Sequence, residues 1–225
     1  MVISDRKRSR PVENRSKFTK IKKNKILMGV ILVVIAIVAV VAAYVYIVSN
    51  ASDVDENNTN DAGGNPIAFF NTTNGMFRVE LFEDKTPITV GNFVKLVNDG
   101  FYNGMTFYRI SDDFMIQAGR YFPDGTEEQS PYGTIEFETH EDVKHVDGAI
   151  SMASTGAGLG GSGEFFICDG EQSFLDGNYA PFGVVIEGIE VVRDIAAQPH
   201  DNSNPAGGGV PLEDIIIDRM FIEYQ

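Results

Sequence analysis

The hydrophobic and polar positions divide the chain into three stretches. Residues 26–48 form one apolar run of 23 residues without a charged side chain. Residues 49–66 hold almost no large apolar side chain, whereas short apolar runs recur between glycine-rich turns from residue 67 onward. This pattern predicts an apolar helix, then a flexible polar linker that buries too little surface to become ordered, and finally a globular domain at 67–225.

The globular stretch carries mainly strand signals. Runs of β-branched and aromatic residues, bounded by turn residues, predict strands at 67–70, 76–82, 106–110, 114–118, 135–137, 149–153, 165–168, 182–185 and 215–224. Apolar residues at helical spacing instead predict helices at 87–98 and 189–197. Many short strands with only two helices indicate a mainly β fold, either an antiparallel barrel or a sandwich.

The apolar run at 26–48 has the length of a membrane span. A helix rises about 1.5 Å per residue, so this run covers the hydrocarbon core of about 30 Å. Lipid offers the backbone no other hydrogen-bond partners, which favours a helix. We therefore predict an uncleaved transmembrane signal anchor that contacts the lipid bilayer. The alternative is a cleaved signal peptide, although the apolar core of such a peptide normally has about 7–15 residues.

Charge is distributed unevenly around this predicted span. The 225 residues carry a net charge of -14, but residues 1–25 contain ten basic and two acidic side chains, a net of +8. The remainder contains eight basic and 30 acidic side chains, a net of -22. A basic stretch directly before a span predicts that this stretch stays in the cytoplasm. The expected location is the cell membrane, crossed once, with a cytoplasmic tail at 1–25 and the globular domain outside.

Composition and spacing exclude several classes of protein. The acidic bulk argues against a nucleic-acid binder, because phosphate contact requires clustered Lys and Arg. The single cysteine, Cys168, excludes an internal disulfide framework. His140 and His145 are five residues apart rather than four, so they would not share the helical face of a zinc-binding HExxH motif. Residues 156–161 spell GxGxxG but lead into a strand-like run, which argues against a dinucleotide site.

Several blocks of the globular stretch resemble one known family. Residues 101–110 (FYNGMTFYRI) and 114–119 (FMIQAG) resemble the F-Y-x-G-x-x-F-H-R-[IV] and F-M-[IV]-Q-[GA]-G blocks of cyclophilins, the cyclosporin-binding class of peptidyl-prolyl isomerases. Further blocks follow in the same order, SMA at 151–153, GSGEFFI at 161–167, FLDG at 174–177 and FG at 182–183. Several blocks in register are more specific than any single motif.

The resemblance, which covers roughly residues 67–224, implies a fold and a site. The family fold is an eight-stranded antiparallel barrel capped by two helices, with an active groove on its outer wall. The implied catalytic residues are Arg109 and Gln117. The implied substrate-binding residues are Phe114, Met115, Ala153, Ser154, Glu164, Phe166, Phe174, Leu175 and Tyr179. Without the resemblance, the apolar members of this set would be interpreted as barrel core.

The chain also departs from the family pattern at the implied groove. Phe174 replaces the usual Trp, which predicts weakened cyclosporin binding with catalysis retained. Tyr179 aligns with the usual pocket His, and Ser154 stands where an Asn is common. Glu164 replaces the usual Gln, and together with Glu127 and Glu128 it suggests the hypothesis that the groove prefers basic peptides.

The leading expectation is a membrane-tethered peptidyl-prolyl cis-trans isomerase that acts on proline-containing polypeptides outside the cytoplasm and assists their folding. No metal or organic cofactor is implied, because the rotation of a peptide bond requires neither. One alternative is a tethered module that binds Pro-containing peptides with weak turnover. A second alternative is a structural surface protein, which only the tether and the acidity favour.

Overall fold

The computed structural model describes residues 64–224. The predicted tail at 1–25, the predicted span at 26–48 and most of the predicted linker at 49–66 lie outside the described residues. Among residues 64–224, no helix combines the length and the apolar character that crossing a membrane requires.

The described residues form eight strands and two α-helices. In chain order these elements are β1 (Ile67–Thr72), β2 (Gly75–Leu81), α1 (Pro87–Asn98), β3 (Arg109–Ser111), β4 (Met115–Ala118), β5 (Ala149–Met152), β6 (Phe165–Cys168), a 3-10 turn (Ser173–Leu175), β7 (Ala180–Glu187), α2 (Ile189–Ala196) and β8 (Ile217–Glu223). The predicted mainly β fold with two helices is therefore confirmed.

All eight strands belong to one sheet whose neighbours run antiparallel. Their order is β3-β4-β6-β5-β7-β2-β1-β8. The two edge strands, β3 and β8, share no ladder, but the segments before them meet at a bridge between Thr106 and Ile216. The sheet is therefore a curved half-barrel whose two edges, β3 and β8, are connected near this bridge. A complete ladder of backbone hydrogen bonds does not join them.

The predicted strand at 135–137 is wrong. Residues 135–137 have no strand pairing, and the backbone N–H of Ile135 donates to the carbonyl of Gly161 at 2.9 Å. The carbonyl of Ile135 lies so close to Gly160 that a Cβ atom there would be 1.7 Å away. This segment therefore packs against the glycine-rich loop, where a single hydrogen bond replaces a ladder.

Aromatic rings fill the inside of the half-barrel. Phe165 of β6 lies edge-on to four buried rings, with centroid distances of 5.7 Å to Phe70, 5.6 Å to Phe93, 5.3 Å to Tyr102 and 6.3 Å to Phe107. Helix α1 contributes Phe93 to this cluster along its apolar face. Burial of these rings away from water is the main stabilising contribution of such a core.

The strand register separates an inner row of side chains from an outer row. Ile110, Ile116, Ile167 and Ile150 are directly paired across β3, β4, β6 and β5, and all four are fully buried in the core. Because successive side chains of a strand point to opposite faces, the residues next to them must face outward. Burial of the isoleucines therefore places the neighbouring row of side chains, Arg109, Gln117, Phe166 and Ser151, on the outer wall.

Candidate active site

The outer row contains the two residues for which the resemblance implies catalysis. Arg109 of β3 is paired with Gln117 of β4, Gln117 with Phe166 of β6, and Phe166 with Ser151 of β5. Directly opposed residues on one face have Cβ atoms about 4.5–5.5 Å apart, close enough for their side chains to act together. The register thus brings a cation, an amide and an aromatic ring into one line.

A cavity of about 500 Å³ opens beside this row. Ten of the eleven predicted site residues line it, namely Arg109, Phe114, Met115, Gln117, Ala153, Ser154, Phe166, Phe174, Leu175 and Tyr179. Glu164 does not line this cavity but a second one next to it, of about 460 Å³. Gln172 and Ala206 also line the first cavity, and neither was predicted.

The floor of the first cavity is apolar and its rim is aromatic. Met115, Phe166 and Leu175 are each less than a tenth exposed. Phe174 is 66% exposed on the rim, where it stacks on Phe114 with a centroid distance of 5.9 Å. An apolar floor with a few polar groups at its edge is typical of a ligand-binding pocket.

The guanidinium of Arg109 is held from two sides. Its Nε and Nη2 donate to the carbonyl of Gly207 at 3.2 and 3.0 Å, and Nη2 also donates to the carbonyl of Ala206 at 3.2 Å. On the other side, Nη1 donates to Oε1 of Gln117 at 3.4 Å. A guanidinium has five N–H groups, so one N–H of Nη1 has no acceptor among the described residues.

Arg109 keeps its charge in this setting. Partial burial lowers its pKa, while the neighbouring phenols Tyr108 and Tyr179 act in the opposite direction. An arginine pKa starts so high that the guanidinium stays protonated near neutral pH. The site therefore offers a fixed, permanently charged donor.

Behind Gln117 lies a polar network that extends away from the cavity. Nε2 of Gln117 donates to the hydroxyl of Tyr108 and to Oε2 of Glu164, the latter at 3.2 Å. The hydroxyl of Tyr108 donates to the same Oε2. Burial, followed by the nearby Glu164 carboxylate, raises the pKa of Tyr108 well above its ordinary value, so the phenol remains a donor.

Arg120 pairs with two of the acids that the sequence places near the groove. Its Nη1 is 3.2 Å from Oε1 of Glu164, and its Nη2 is 2.8 Å from Oε1 of Glu127. The side chain of Glu128 forms no ion pair within residues 64–224. The ion pairs thus reduce the negative charge that this rim offers to a peptide, and the predicted preference for basic peptides remains a hypothesis.

His145 supports the floor of the cavity from behind. Its side chain is fully buried, with Nδ1 2.8 Å from Oδ1 of Asp176 and Nε2 3.0 Å from the hydroxyl of Ser151. Because a carboxylate only accepts, Nδ1 carries the proton and Nε2 accepts from Ser151. Burial lowers the pKa of His145, although Asp176 opposes that shift. This histidine is therefore a structural group and not a metal ligand.

One group of carboxylates lies close enough to share a cation. Within residues 64–224, oxygen atoms of Asp112, Asp113 and Asp169 lie within 4.8 Å of one another. Asp169 already accepts from the backbone N–H of Asp113 at 3.0 Å and lies 3.8 Å from Nε of Arg193. The buried carboxylate, Asp169, thus already has partners, and Asp112 and Asp113 are exposed.

Four residues that contact the site were not predicted from the sequence, because their roles depend on backbone atoms or on side-chain direction. Ala206 and Gly207 act through backbone carbonyls, and the visible signal was only the run of glycines at 207–209. Tyr108 precedes Arg109 and Arg120 follows the second matching block, so both lay within or beside recognised strings. The residue types of Tyr108 and Arg120 do not reveal that their side chains contact the carboxylate of Glu164.

Comparisons with known proteins agree with this geometry. The family model described as "Cyclophilin type peptidyl-prolyl cis-trans isomerase/CLD" matches residues 68–220. A peptidyl-prolyl cis-trans isomerase of Synechococcus elongatus is 42% identical over 130 residues, which are 57% of this chain and 87% of that relative. Peptidyl-prolyl cis-trans isomerase B of Escherichia coli is 32% identical over 161 residues, which are 68% of this chain and 97% of that relative.

Solved structures give the same result. The crystal structure of a cyclophilin type peptidyl-prolyl cis-trans isomerase of Cryptosporidium parvum is similar with a TM-score of 0.64 and 30% identity, over 72% of this chain and 99% of that chain. A structure of that protein in the presence of the dipeptide Ala-Pro has a TM-score of 0.63, 30% identity and coverage of 71% and 99%. The chain belongs to the cyclophilin-type peptidyl-prolyl cis-trans isomerase family, and it is a peptidyl-prolyl isomerase.

Proposed function

We propose that this isomerase is held at the cell membrane by residues 26–48 and accelerates X–Pro rotation in polypeptides outside the cytoplasm, with Arg109 as its central catalytic group. The observation that supports the catalytic part is the Nη1 donor of Arg109 that has no acceptor among the described residues. The uncharged run and its basic flank support the location.

The reaction breaks no covalent bond. Resonance in the peptide group imposes a rotation barrier of about 18–20 kcal/mol, and X–Pro bonds interconvert over tens of seconds or longer without a catalyst. In the twisted state the prolyl nitrogen regains a lone pair and can accept a hydrogen bond. A donor that contacts this lone pair stabilises the twisted state more than the planar one, and differential stabilisation of this kind is catalysis.

Arg109 meets this requirement through its preorganised position. Gly207 and Ala206 hold one edge of its guanidinium and Gln117 holds the other. Its remaining Nη1 N–H can then donate to the prolyl nitrogen without first losing another partner. A donor fixed in advance requires no reorganisation at the moment of reaction, which increases its effect.

The apolar floor provides the binding part of the proposal. The proline ring packs against Met115, Phe166 and Leu175, while Phe114 covers its edge next to Arg109. Gln117, Ala153 and Ser154 contact the peptide backbone. Phe174, which stacks on Phe114, and Tyr179 complete the rim. The Cryptosporidium structure in the presence of Ala-Pro supports a proline-containing peptide as the ligand class.

We also propose that cyclosporin binds only weakly here. Phe174 occupies the rim position at which the family pattern has Trp. Phe supplies a ring of similar character but lacks the indole N–H donor. A hydrogen bond that depends on this donor cannot form, whereas the apolar contact with a proline ring is retained.

The catalytic proposal is tested by an isomerisation assay on the whole 225-residue chain. Arg109→Ala should lower kcat/KM for an X–Pro peptide by about a hundredfold or more, because the central donor is lost. Arg219→Ala, at an exposed arginine that does not line the cavity, is the matched control and should keep the wild-type rate. An Arg109→Ala variant with wild-type turnover would defeat this mechanism. Peptide binding without turnover in the unchanged chain would favour the tethered binding module.

The location requires a separate test. A reporter that is active only outside the cytoplasm should be active when fused after residue 225, and a reporter that is active only inside should be silent. Deletion of residues 26–48 should reverse both results. An outside reporter that stays silent on the unchanged chain would contradict the proposed topology without affecting the catalytic proposal.

A further inference from the structure

The side-chain amide of Gln117 lies between two groups of opposite hydrogen-bonding character. On one side its Oε1 accepts from Nη1 of Arg109 at 3.4 Å. On the other side its Nε2 donates to Oε2 of Glu164 at 3.2 Å and to the hydroxyl of Tyr108. Both hydrogens of the amide nitrogen are therefore used on the side away from the cavity.

The carboxylate of Glu164 permits only one of the two orientations of the Gln117 amide. A 180° rotation of the Gln117 amide would place Oε1 against the carboxylate and the NH₂ group against Arg109. Acceptor would then face acceptor, and donor would face donor. Tyr108 could not prevent the rotation by itself, because a hydroxyl both donates and accepts. Arg109, which only donates, favours the same orientation across a long contact of 3.4 Å, and Glu164, which only accepts, enforces it from behind.

Glu164 is itself held in place. Arg120 contacts its Oε1 at 3.2 Å while Tyr108 contacts its Oε2, so each carboxylate oxygen has a partner. The side chain is only 25% exposed, which limits competition by water. Charge-assisted hydrogen bonds of this kind are roughly twice as strong as neutral ones.

We infer that Glu164 is a positioning residue that fixes the Gln117 amide so that its oxygen faces Arg109. The inference rests on the proposed role of Arg109, and it concerns how that guanidinium is aimed. Arg109 then has its Nη1 directed by a carbonyl oxygen rather than repelled by an NH₂ group. Glu164 acts from outside the first cavity and makes no contact with the proline ring.

Steady-state kinetics of variants in the whole chain test this inference. Glu164→Ala should lower kcat about tenfold with KM changed less than twofold, because the chemical step loses a directed donor while the apolar floor is unchanged. Glu164→Gln should lower kcat only about threefold, since an amide accepts in one of its two orientations. Glu190→Ala removes the same charge at an exposed position that lines neither cavity, and it should leave kcat unchanged. Thermal unfolding verifies that each variant is folded.

A double-mutant cycle separates positioning from a direct effect. If Glu164 acts through Gln117, adding Glu164→Ala to Gln117→Ala should change kcat by less than twofold. A tenfold loss that persists without the Gln117 amide would overturn the inference, as would wild-type kcat in both Glu164 variants. Failure of the proposed function is distinguishable, because it appears as absent turnover in the unchanged chain or as full turnover in Arg109→Ala.

Discussion

The imidazole of His145 lies parallel to the ring of Phe166, with centroids 5.8 Å apart and an angle of 6° between the planes. Phe166 also lines the cavity, where Tyr179 meets it edge-on with a centroid distance of 5.8 Å. The apolar floor of the active site therefore rests on a titratable group that is sealed from solvent. Conditions that charge this group should disturb the fold and the site together.

Stability should fall on mild acidification. Burial lowers the pKa of His145 in the folded state, so the unfolded chain takes up a proton at about pH 6.5 while the native imidazole stays neutral. The unfolded state then binds more protons, and the free energy of unfolding decreases as the pH drops from about 6.5 toward the folded pKa. Urea unfolding at pH 7.5 and 5.5 measures this decrease.

The matched variants for this prediction are His145→Gln and His140→Gln. His145→Gln should lose stability at both pH values but show a smaller difference between them. His140 is partly exposed, and its replacement should retain the wild-type difference. An unchanged pH difference in His145→Gln would show that another group controls the acid response.

Two adjacent phenylalanines should give opposite phenotypes. Phe165 is fully buried among core rings, whereas Phe166 lines the cavity. Phe165→Ala should lower the free energy of unfolding by about 3–5 kcal/mol, with kcat/KM of the folded fraction within twofold of wild type. Phe166→Ala should cost less stability but lower kcat/KM about tenfold or more, through loss of the apolar floor. Equal effects of both changes on stability and on kcat/KM would contradict the separation of the two faces.

The loop that holds Arg109 should not tolerate a side chain at Gly208. Its φ is +77°, and a Cβ atom there would lie 2.1 Å from the carbonyl oxygen of Ile110. Gly208→Ala should push the loop outward, weaken the contacts of Ala206 and Gly207 with Arg109, and lower kcat about threefold to tenfold. Gly133→Ala is the control, because Gly133 has φ +71° with nothing within 4 Å of the added Cβ. It should cost some stability but keep kcat, and equal losses of kcat in both variants would contradict the role of this loop.

Cyclosporin binding should improve when the indole donor is restored. Phe174 is mostly exposed on the cavity rim, so Phe174→Trp requires no repacking of the interior. One additional hydrogen bond of about 1.4 kcal/mol corresponds to a tenfold lower Kd. Inhibition of isomerisation by cyclosporin measures this change, with kcat/KM in its absence as the control. An unchanged inhibition constant would show that the missing donor is not the cause of weak binding.

Local sequence patterns determined most elements of the fold. The short apolar and aromatic runs at 114–118 and 165–168 indicated strands, because β-branched and aromatic residues pack well on a pleated sheet. The helix at 87–98 was predicted with the bounds that the structure has. The error at 135–137 arose because a short apolar run has the same pattern whether it forms a ladder or packs against a loop.

The sequence by itself determined which groups are present in the site, including Arg109 and Gln117, through blocks of residues in a recognisable order. Only the tertiary structure decided how those groups are held. Ala206 and Gly207 contact Arg109 from 97 and 98 positions away along the chain, and Glu164 turns from the groove toward Arg120. Such contacts depend on strand register and loop path, which long-range packing sets. A local pattern specifies which face of a strand is buried, but not which distant atom its polar side meets.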